Sequence, residues 1–420
     1  MSNETELIYS SDNVSKPAHP FIFFVFFIPF GIFSGYLTVT LAYLFSRSGI
    51  SMQLIAGLAA LNLVPQIFKF IWAPLVDITL TLKRWYLLSA VATAATIFAS
   101  GIIPISISNL SLFSGIILLA SFVRSFMSAA INGLAAHDTS NDLKGRVGGY
   151  SQAGNLGGSA VGGGAGLWLA QHASYPWMAG AVIALVCLLC CIALFFIKEP
   201  VSTIKSEKKR QAIGSVLADV YQNLKTKRGG LAFLLNLLPL GTGAAGFLFA
   251  ALAKDWGAGA NTVALVTGGL GGVAIITGCL IGGWICDKMS RQKAFVYFSL
   301  CLALVCLGMA YCPHVPLMYI IWTLAYALIN GLVNGAYSAF NLEATGKGAA
   351  ASKFELYASM AYLPLYFMLW VSGSAYGKWG ALDLLNTEAV ITAIAAAVFF
   401  VAWMVVYKQR KLNAGLGVGV

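Results

Sequence analysis

Twelve apolar runs, each long enough to cross a bilayer, constrain this chain more than any other feature. A helix needs about 20 residues to span the hydrocarbon. The runs fall at roughly 21–45, 52–76, 85–103, 111–136, 146–171 and 176–197, then at 230–253, 261–286, 293–311, 316–342, 354–376 and 387–407. Only a structure that satisfies its own backbone polar groups can occupy lipid, so the pattern predicts an all-α integral membrane protein of twelve transmembrane helices. With 59% hydrophobic and 10% charged residues, a soluble globule with a polar surface is excluded. The first run is too long for a signal-peptide core and reads as the first span.

Charge divides the runs into two sets. A polar stretch, 1–19, reads as a disordered cytoplasmic tail, followed by a six-helix bundle over 20–197. A basic cytoplasmic linker, 198–228, separates it from a second six-helix bundle over 229–407 and a cytoplasmic tail over 408–420. Inside the linker, the stretch AIGSVLADVYQNL has helical apolar spacing and reads either as a helix on the membrane surface or as a solvated connector. With the amino terminus inside, 21 of the 26 Lys and Arg fall on the inner side. Arg47, Lys254 and Lys378 lie outside, and Lys69 and Arg124 lie within spans. This asymmetry places both termini in the cytoplasm. It also accounts for the net charge of +11, which therefore gives no reason to expect a nucleic-acid partner.

The two sets repeat one another. Pro65 to Arg84, PQIFKFIWAPLVDITLTLKR, ends an apolar run at Asp77, with Lys83 and Arg84 just beyond. Gly282 to Lys293, GGWICDKMSRQK, does the same 210 residues later at Asp287, with Lys288, Arg291 and Lys293. Pro29 and Gly31 recur at the same spacing as Pro239 and Gly241. The tetrapeptide Ile-Asn-Gly-Leu stands at 131–134 and again at 329–332. Two parallel six-span repeats are the expectation, which is the organisation of a transporter with a site between its halves.

In these residues the chain resembles the major facilitator superfamily, whose signature between spans 2 and 3, and again between 8 and 9, is a helix end with an aspartate and a basic cluster. Pro65 with the string Lys69 to Asp77, Gly31 to Gly57, and Arg146 to Gln171 are similar to the peptide and acetyl-coenzyme-A transporter branch, which includes muropeptide permeases. That branch carries a Gln-Asp pair in span 4 and an arginine in span 5, where this chain has Asn132-Gly133 and Asn155. Single-chain siderophore permeases resemble the same region. The resemblance implies a secondary active transporter in a bacterial inner membrane, proton-coupled and taking up an anionic, medium-sized solute such as a muropeptide-like conjugate. A siderophore or acetyl-coenzyme-A type permease is the alternative.

In the resembled fold, spans 1, 4, 7 and 10 line the cavity. The substrate candidates are then Tyr36, Thr40 and Tyr43 of span 1, Arg124, Ser128 and Asn132 of span 4, Asn236 of span 7, and Tyr326, Asn330, Asn334 and Tyr337 of span 10. Lys69 joins them from span 2. Lys69 and Arg124 are charges inside spans, which costs several kcal/mol unless they are paired or hydrated. Three readings stay open: Lys69 snorkels, an anionic ligand is the counter-ion, or Glu343 or Glu355 reaches across from the second half and leaves Arg124 structural. Arg124, with Lys69 assisting, is the expected anion site. Asp77, Lys83, Arg84, Asp287 and Arg291 form the expected inner gate, with Glu343 and Glu355 as proton-coupling candidates. For those two glutamates, surface pairing with Lys347 and Lys353 is the alternative.

Span 5 carries Gly154, Gly158, Gly162 and Gly166, and span 8 carries Gly268, Gly272, Gly278 and Gly282. These faces either slide between the halves or pack statically. The cysteines lie mostly within apolar runs and read as core, and no metal cluster or cofactor is expected. The glycine-rich segments follow no strand and lack Gly-Lys-Ser/Thr, so no phosphate loop is expected. No nucleophile with a base appears at the membrane face, which argues against an enzyme. A sensor that binds without translocating is the remaining class.

Overall fold

The computed structural model describes residues 18–173, 175, 177–200 and 209–415. The tail before residue 18 and the end of the chain after residue 415 lie outside the described residues, as does the linker over 201–208. Nine helices are long and apolar enough to cross a membrane among the described residues: Phe21–Arg47, Leu82–Ile102, Ile107–Asp138, Trp177–Phe196, Asn261–Lys288, Arg291–Tyr311, Pro316–Thr345, Ala350–Trp379 and Ala381–Val405. They are spans 1, 3, 4, 6 and 8 to 12. Spans 2, 5 and 7 complete the twelve and are each cut into shorter pieces.

The cuts follow from the sequence. Span 2 runs as a helix over Met52–Phe68, tightens into a 3-10 turn over Lys69–Ile71, and is followed on the linker side by a short helix, Ala73–Ile78. Pro74 has no N–H to donate and its ring crowds the preceding turn, so the regular helix ends before it. Span 7 stops at Leu237, ahead of Pro239, and restarts as a 3-10 turn at Ala244. Between them Gly241 and Gly243 take φ of +58 and +70, a conformation that side chains disfavour. Span 11 is interrupted at Ala361, three residues before Pro364. Span 5 is interrupted by a π-turn over Val161–Ala165, which faces a second π-turn, Tyr36–Leu41, in span 1.

The glycines of span 5 pack differently from the sliding arrangement. A Cβ at Gly154, Gly158 or Gly162 would collide with the backbone of Phe24, Ile28 or Ile32 of span 1, in the same half. This face is static packing. Gly278 and Gly282 of span 8 likewise meet Leu328 and Leu332 of span 10, and Gly268 has surroundings outside the described residues. The halves meet instead through the opposite face of span 5. There a Cβ on Gly149 would lie 2.5 Å from the Cys279 carbonyl and 3.0 Å from the Gly283 Cα, and one on Gly148 would lie 2.6 Å from the Ala339 nitrogen. A spacing of four residues identifies a bare helical face but not which of two neighbours it touches.

The linker contains a helix, Lys209–Lys225, packed against the short helix Ala73–Ile78 of the first half and the start of span 11 in the second. Asp219 accepts from the Ala349 N–H at 2.8 Å and pairs with Lys353 at 3.1 Å. Asn223 donates to the Ala344 carbonyl at 2.9 Å. Ile213, Leu217 and Tyr221 are exposed. One face is thus bound to protein, and the other is apolar.

Candidate functional site

Two carboxylates tie the halves together on the linker side in the same way. Asp77, just past span 2, accepts from the backbone N–H of Ala351 at 3.3 Å and of Ser352 at 2.9 Å, and from the Ser352 hydroxyl at 2.6 Å. These groups open span 11 of the other half. Asp287, at the end of span 8, accepts from the N–H groups of Gly145 and Arg146, which open span 5, at 2.7 and 3.2 Å. Helix N-termini present unpaired donors and a partial positive charge, so each aspartate caps a helix belonging to the opposite repeat. Burial, the largest influence, lifts the Asp77 carboxyl to about 6 against the lowering by its hydrogen bonds, which leaves it ionised at neutral pH.

The basic residues beside these aspartates divide. Arg291 lies 4.0 Å from Asp287 and 3.2 Å from Glu343, and it also donates to the Asn141 carbonyl. Arg146, absent from the expected gate, donates to Asp287 at 2.9 Å. Lys83 and Arg84 form no ion pair with Asp77 among the described residues. They begin span 3, where the Lys83 N–H points at Glu199 and the Arg84 N–H at Thr81. A short loop brings cations close in sequence, but the acid is satisfied by helix ends first.

Between the halves lies a cavity of about 240 Å³. Of the twelve sequence candidates, Lys69, Ser128, Asn132, Asn236, Asn334 and Tyr337 line it. Gln152, Asn155, Thr242 and Tyr362 also line it and were not anticipated, together with the rings of Phe27, Phe30, Phe295 and Phe354. The pair Gln152 and Asn155 stands three positions apart on span 5, a polar i, i+3 signal hidden among glycines.

The buried charges of the first half take unlike partners. Lys69 lies 2.5 Å from Glu355 of span 11, and both are buried. Glu355 also accepts from Ser128 at 2.7 Å and Asn132 at 3.1 Å. This acid is therefore no surface group paired with Lys347 or Lys353, because it lies one turn past the N-terminus of span 11, which is drawn in between the halves. Arg124, 1% exposed, donates to Asn62 at 3.0 Å, to the Phe30 carbonyl at 2.7 Å and to Ser34 at 2.9 Å, with its guanidinium 4.3 Å from the Phe30 ring centre. It sits between spans 1 and 2 behind the Phe30 ring and is not itself among the lining residues.

The remaining candidates are also turned elsewhere. Thr40 donates to the carbonyls of Gly162 and Gly163 in the π-turn of span 5. Tyr36 is buried, Tyr43 is half-buried and Tyr326 packs on Phe249. Asn330 accepts from Asn334 at 3.1 Å, beside the break in span 7. Arg124→Gln is expected to lower the melting temperature and leave ligand affinity unchanged, read by thermal unfolding with and without ligand. A selective loss of affinity would return Arg124 to the site.

A family model described as Major Facilitator Superfamily matches residues 21–367. Among curated proteins no relative matches. The fold is similar to a solved human organic anion transporter, MFSD10, at 15% identity and TM-score 0.70, covering 90% of this chain and 98% of that one. It is also similar to FucP, a Major Facilitator Superfamily transporter in the outward conformation, at 16% identity and TM-score 0.67, covering 91% of this chain and 96% of that one. A variant of the E. coli fucose:proton symporter, FucP, gives 16% identity and TM-score 0.65, with 91% and 96% covered. At such identities the likeness is one of fold.

Proposed function

The chain belongs to the major facilitator superfamily, and from that premise we propose that it is a secondary active transporter that couples one proton to the uptake of an organic anion. The observation that carries the reading is the buried Lys69–Glu355 pair, which joins the two halves at the cavity wall. When Glu355 is ionised it is the counter-ion of Lys69, and the cavity holds no free positive charge from that pair. When Glu355 takes a proton, Lys69 is released to an anion, with the Ser128 hydroxyl and the Asn132 amide beside it. Proton and anion therefore enter together, since either alone leaves a charge buried without a partner.

Protonation also removes a tie between the halves. Lys69 lies two turns before Asp77, and Glu355 lies three residues after Ser352, so the pair adjoins one of the two latches. Breaking it favours opening on the linker side, where both ligands leave and the pair re-forms. The repeats make the asymmetry plain. The position 210 residues after Lys69 is Cys279, and the position 206 before Glu355 is Gly149, which meet backbone to backbone. One of two equivalent seams is a bare contact and the other carries the ion pair.

The lining residues fit a polar anion bearing hydroxyl or amide groups, held by Asn132, Gln152, Asn155, Asn236 and Asn334 between aromatic rings. The cavity lies below the roughly 300–1,000 Å³ of drug-sized sites. A muropeptide, a loaded siderophore or acetyl-coenzyme A would therefore require a wider state than this one. The distribution of Lys and Arg supports cytoplasmic termini.

The test is a thermal-shift screen of organic anions, followed by proteoliposome uptake of any that stabilise the protein under an imposed pH gradient. Binding without flux would identify a sensor. Lys69→Gln is expected to weaken binding about 10- to 100-fold, the effect of losing a hydrogen bond to a charged group. Unchanged affinity would place the anion elsewhere. The latches carry a further expectation: Asp77→Asn should widen the distance between spin labels on the linker-side ends of spans 3 and 9, through loss of charge-assisted bonds. An unchanged distance distribution would make Asp77 a topological charge only.

A further inference from the structure

Glu388 is used by nothing described above. It stands in span 12, 3% exposed, and forms no ion pair among the described residues. Its carboxylate accepts from the Ser372 hydroxyl of span 11 at 3.1 Å and from the Thr242 hydroxyl of span 7 at 3.4 Å. The backbone N–H groups of Ala244 and Ala245 also face it. Those groups begin the helical restart after the break in span 7, so an acid of span 12 caps a discontinuous helix within the membrane. The titratable groups facing it are Cys306 of span 9 and Tyr326 of span 10, neither of them basic.

We infer that Glu388 is a second proton-binding site, which holds the break of span 7 when ionised and releases it when protonated. A single acid in lipid with no basic partner is stable in either state only if its neighbours can serve both. Here they can. Ser372 and Thr242 donate to the carboxylate, and each hydroxyl can turn to accept from the protonated acid. A metal cation fits poorly, because the Ala244 and Ala245 N–H groups present positive charge to the same oxygens and the two hydroxyls are too few to complete a shell.

The consequence reaches the cavity through one residue. Thr242 and Gly241 line it, and Thr242 also accepts from the Ala244 N–H at 3.4 Å. Ionised Glu388 therefore fixes the conformation of a cavity wall that has no regular helix over Leu238–Gly243. Protonation removes the charge-assisted bonds and frees the outer part of span 7 to move. This inference rests on the transport reading for its purpose but not on the Lys69–Glu355 pair.

The test uses the whole protein in nanodiscs and protons as the probe. Infrared difference spectra between acid and alkaline buffer should contain a protonated-carboxyl carbonyl band that is lost in Glu388→Gln and retained in Glu355→Gln. Loss of that band only in Glu355→Gln would overturn the inference while leaving the coupling pair intact. Spin labels on the outer ends of spans 7 and 12 should show a pH-dependent distance in wild type and a fixed distance in Glu388→Gln. A pH dependence that survives this change would also overturn it. Should Glu388→Gln fail to fold, wild-type protein can be treated with dicyclohexylcarbodiimide, which modifies protonated carboxyls in apolar surroundings. Mass spectrometry should then find Glu388 modified increasingly as pH falls, and modification indifferent to pH, or none, would contradict a titrating site.

Discussion

Glu355→Gln is expected to lower pH-gradient-driven accumulation of the anion by roughly 100-fold or more, while exchange of internal for external anion stays within a few-fold of wild type. The glutamine retains an oxygen for the Ser128 and Asn132 bonds but cannot ionise. Lys69 is then a buried cation with no competing carboxylate, and it holds the anion irrespective of pH. Removing one member of a buried pair commonly costs about 3–5 kcal/mol, the scale of the expected loss. The empty carrier, left with an uncompensated charge, cannot return, whereas the loaded carrier still crosses. Accumulation that persists in this variant would assign coupling to another acid, and loss of exchange as well would make the pair structural. Measurement of both fluxes on one proteoliposome preparation separates these outcomes.

Gly149→Val is expected to shift the protein toward states open on the linker side by about 10-fold or more. The glycine sits where the halves touch, with the Cys279 carbonyl 2.5 Å from the position of a Cβ. Overpacking a close contact costs about 1–3 kcal/mol, and here the strain is relieved by separating the halves. Gly158→Val makes the contrast. Its Cβ would collide with the Ile28 backbone inside one half, so it should lower melting temperature without changing the ratio of states. Pulsed electron resonance distances across the linker-side ends, together with thermal unfolding, read both quantities. Equal conformational shifts from the two variants would mean that the seam between spans 5 and 8 is not where the halves separate.

The class of fold was legible because its cause is local: backbone groups in lipid must be satisfied inside each helix, and run length reports that directly. The aspartates at 77 and 287 were legible as a duplicated pair, but of their partners only Arg291 beside Asp287 was. A carboxylate's neighbours in sequence are cations, while its neighbours in space are N–H groups some 270 and 140 residues away. The cavity face of span 10 was partly readable from spacing, and Asn334 and Tyr337 line it as the period of 3.6 requires. In span 1 the same period misleads. The π-turn over Tyr36–Leu41 takes up more residues per turn and so shifts the register of the face, and Thr40 bonds to span 5 instead of lining the cavity. Arg124 shares a helical face with Ser128 and Asn132, yet a long side chain one turn above them reaches Asn62 and the Phe30 carbonyl first. Glu388 escaped notice because it sits at the margin of its apolar run, where an acid reads as a loop residue.

The most direct test of the central claim is the pH dependence of anion binding, measured by titration calorimetry on wild type, Glu355→Gln and Lys69→Gln with an anion found to stabilise the protein. Uptake of one proton with the anion predicts that wild-type affinity falls about tenfold for each unit rise of pH over the range in which binding takes up that proton. In Glu355→Gln the affinity should be high and flat across the same range, and in Lys69→Gln it should be weak throughout. Wild-type binding of equal strength at every pH, or a pH dependence that survives in Glu355→Gln, would contradict the account.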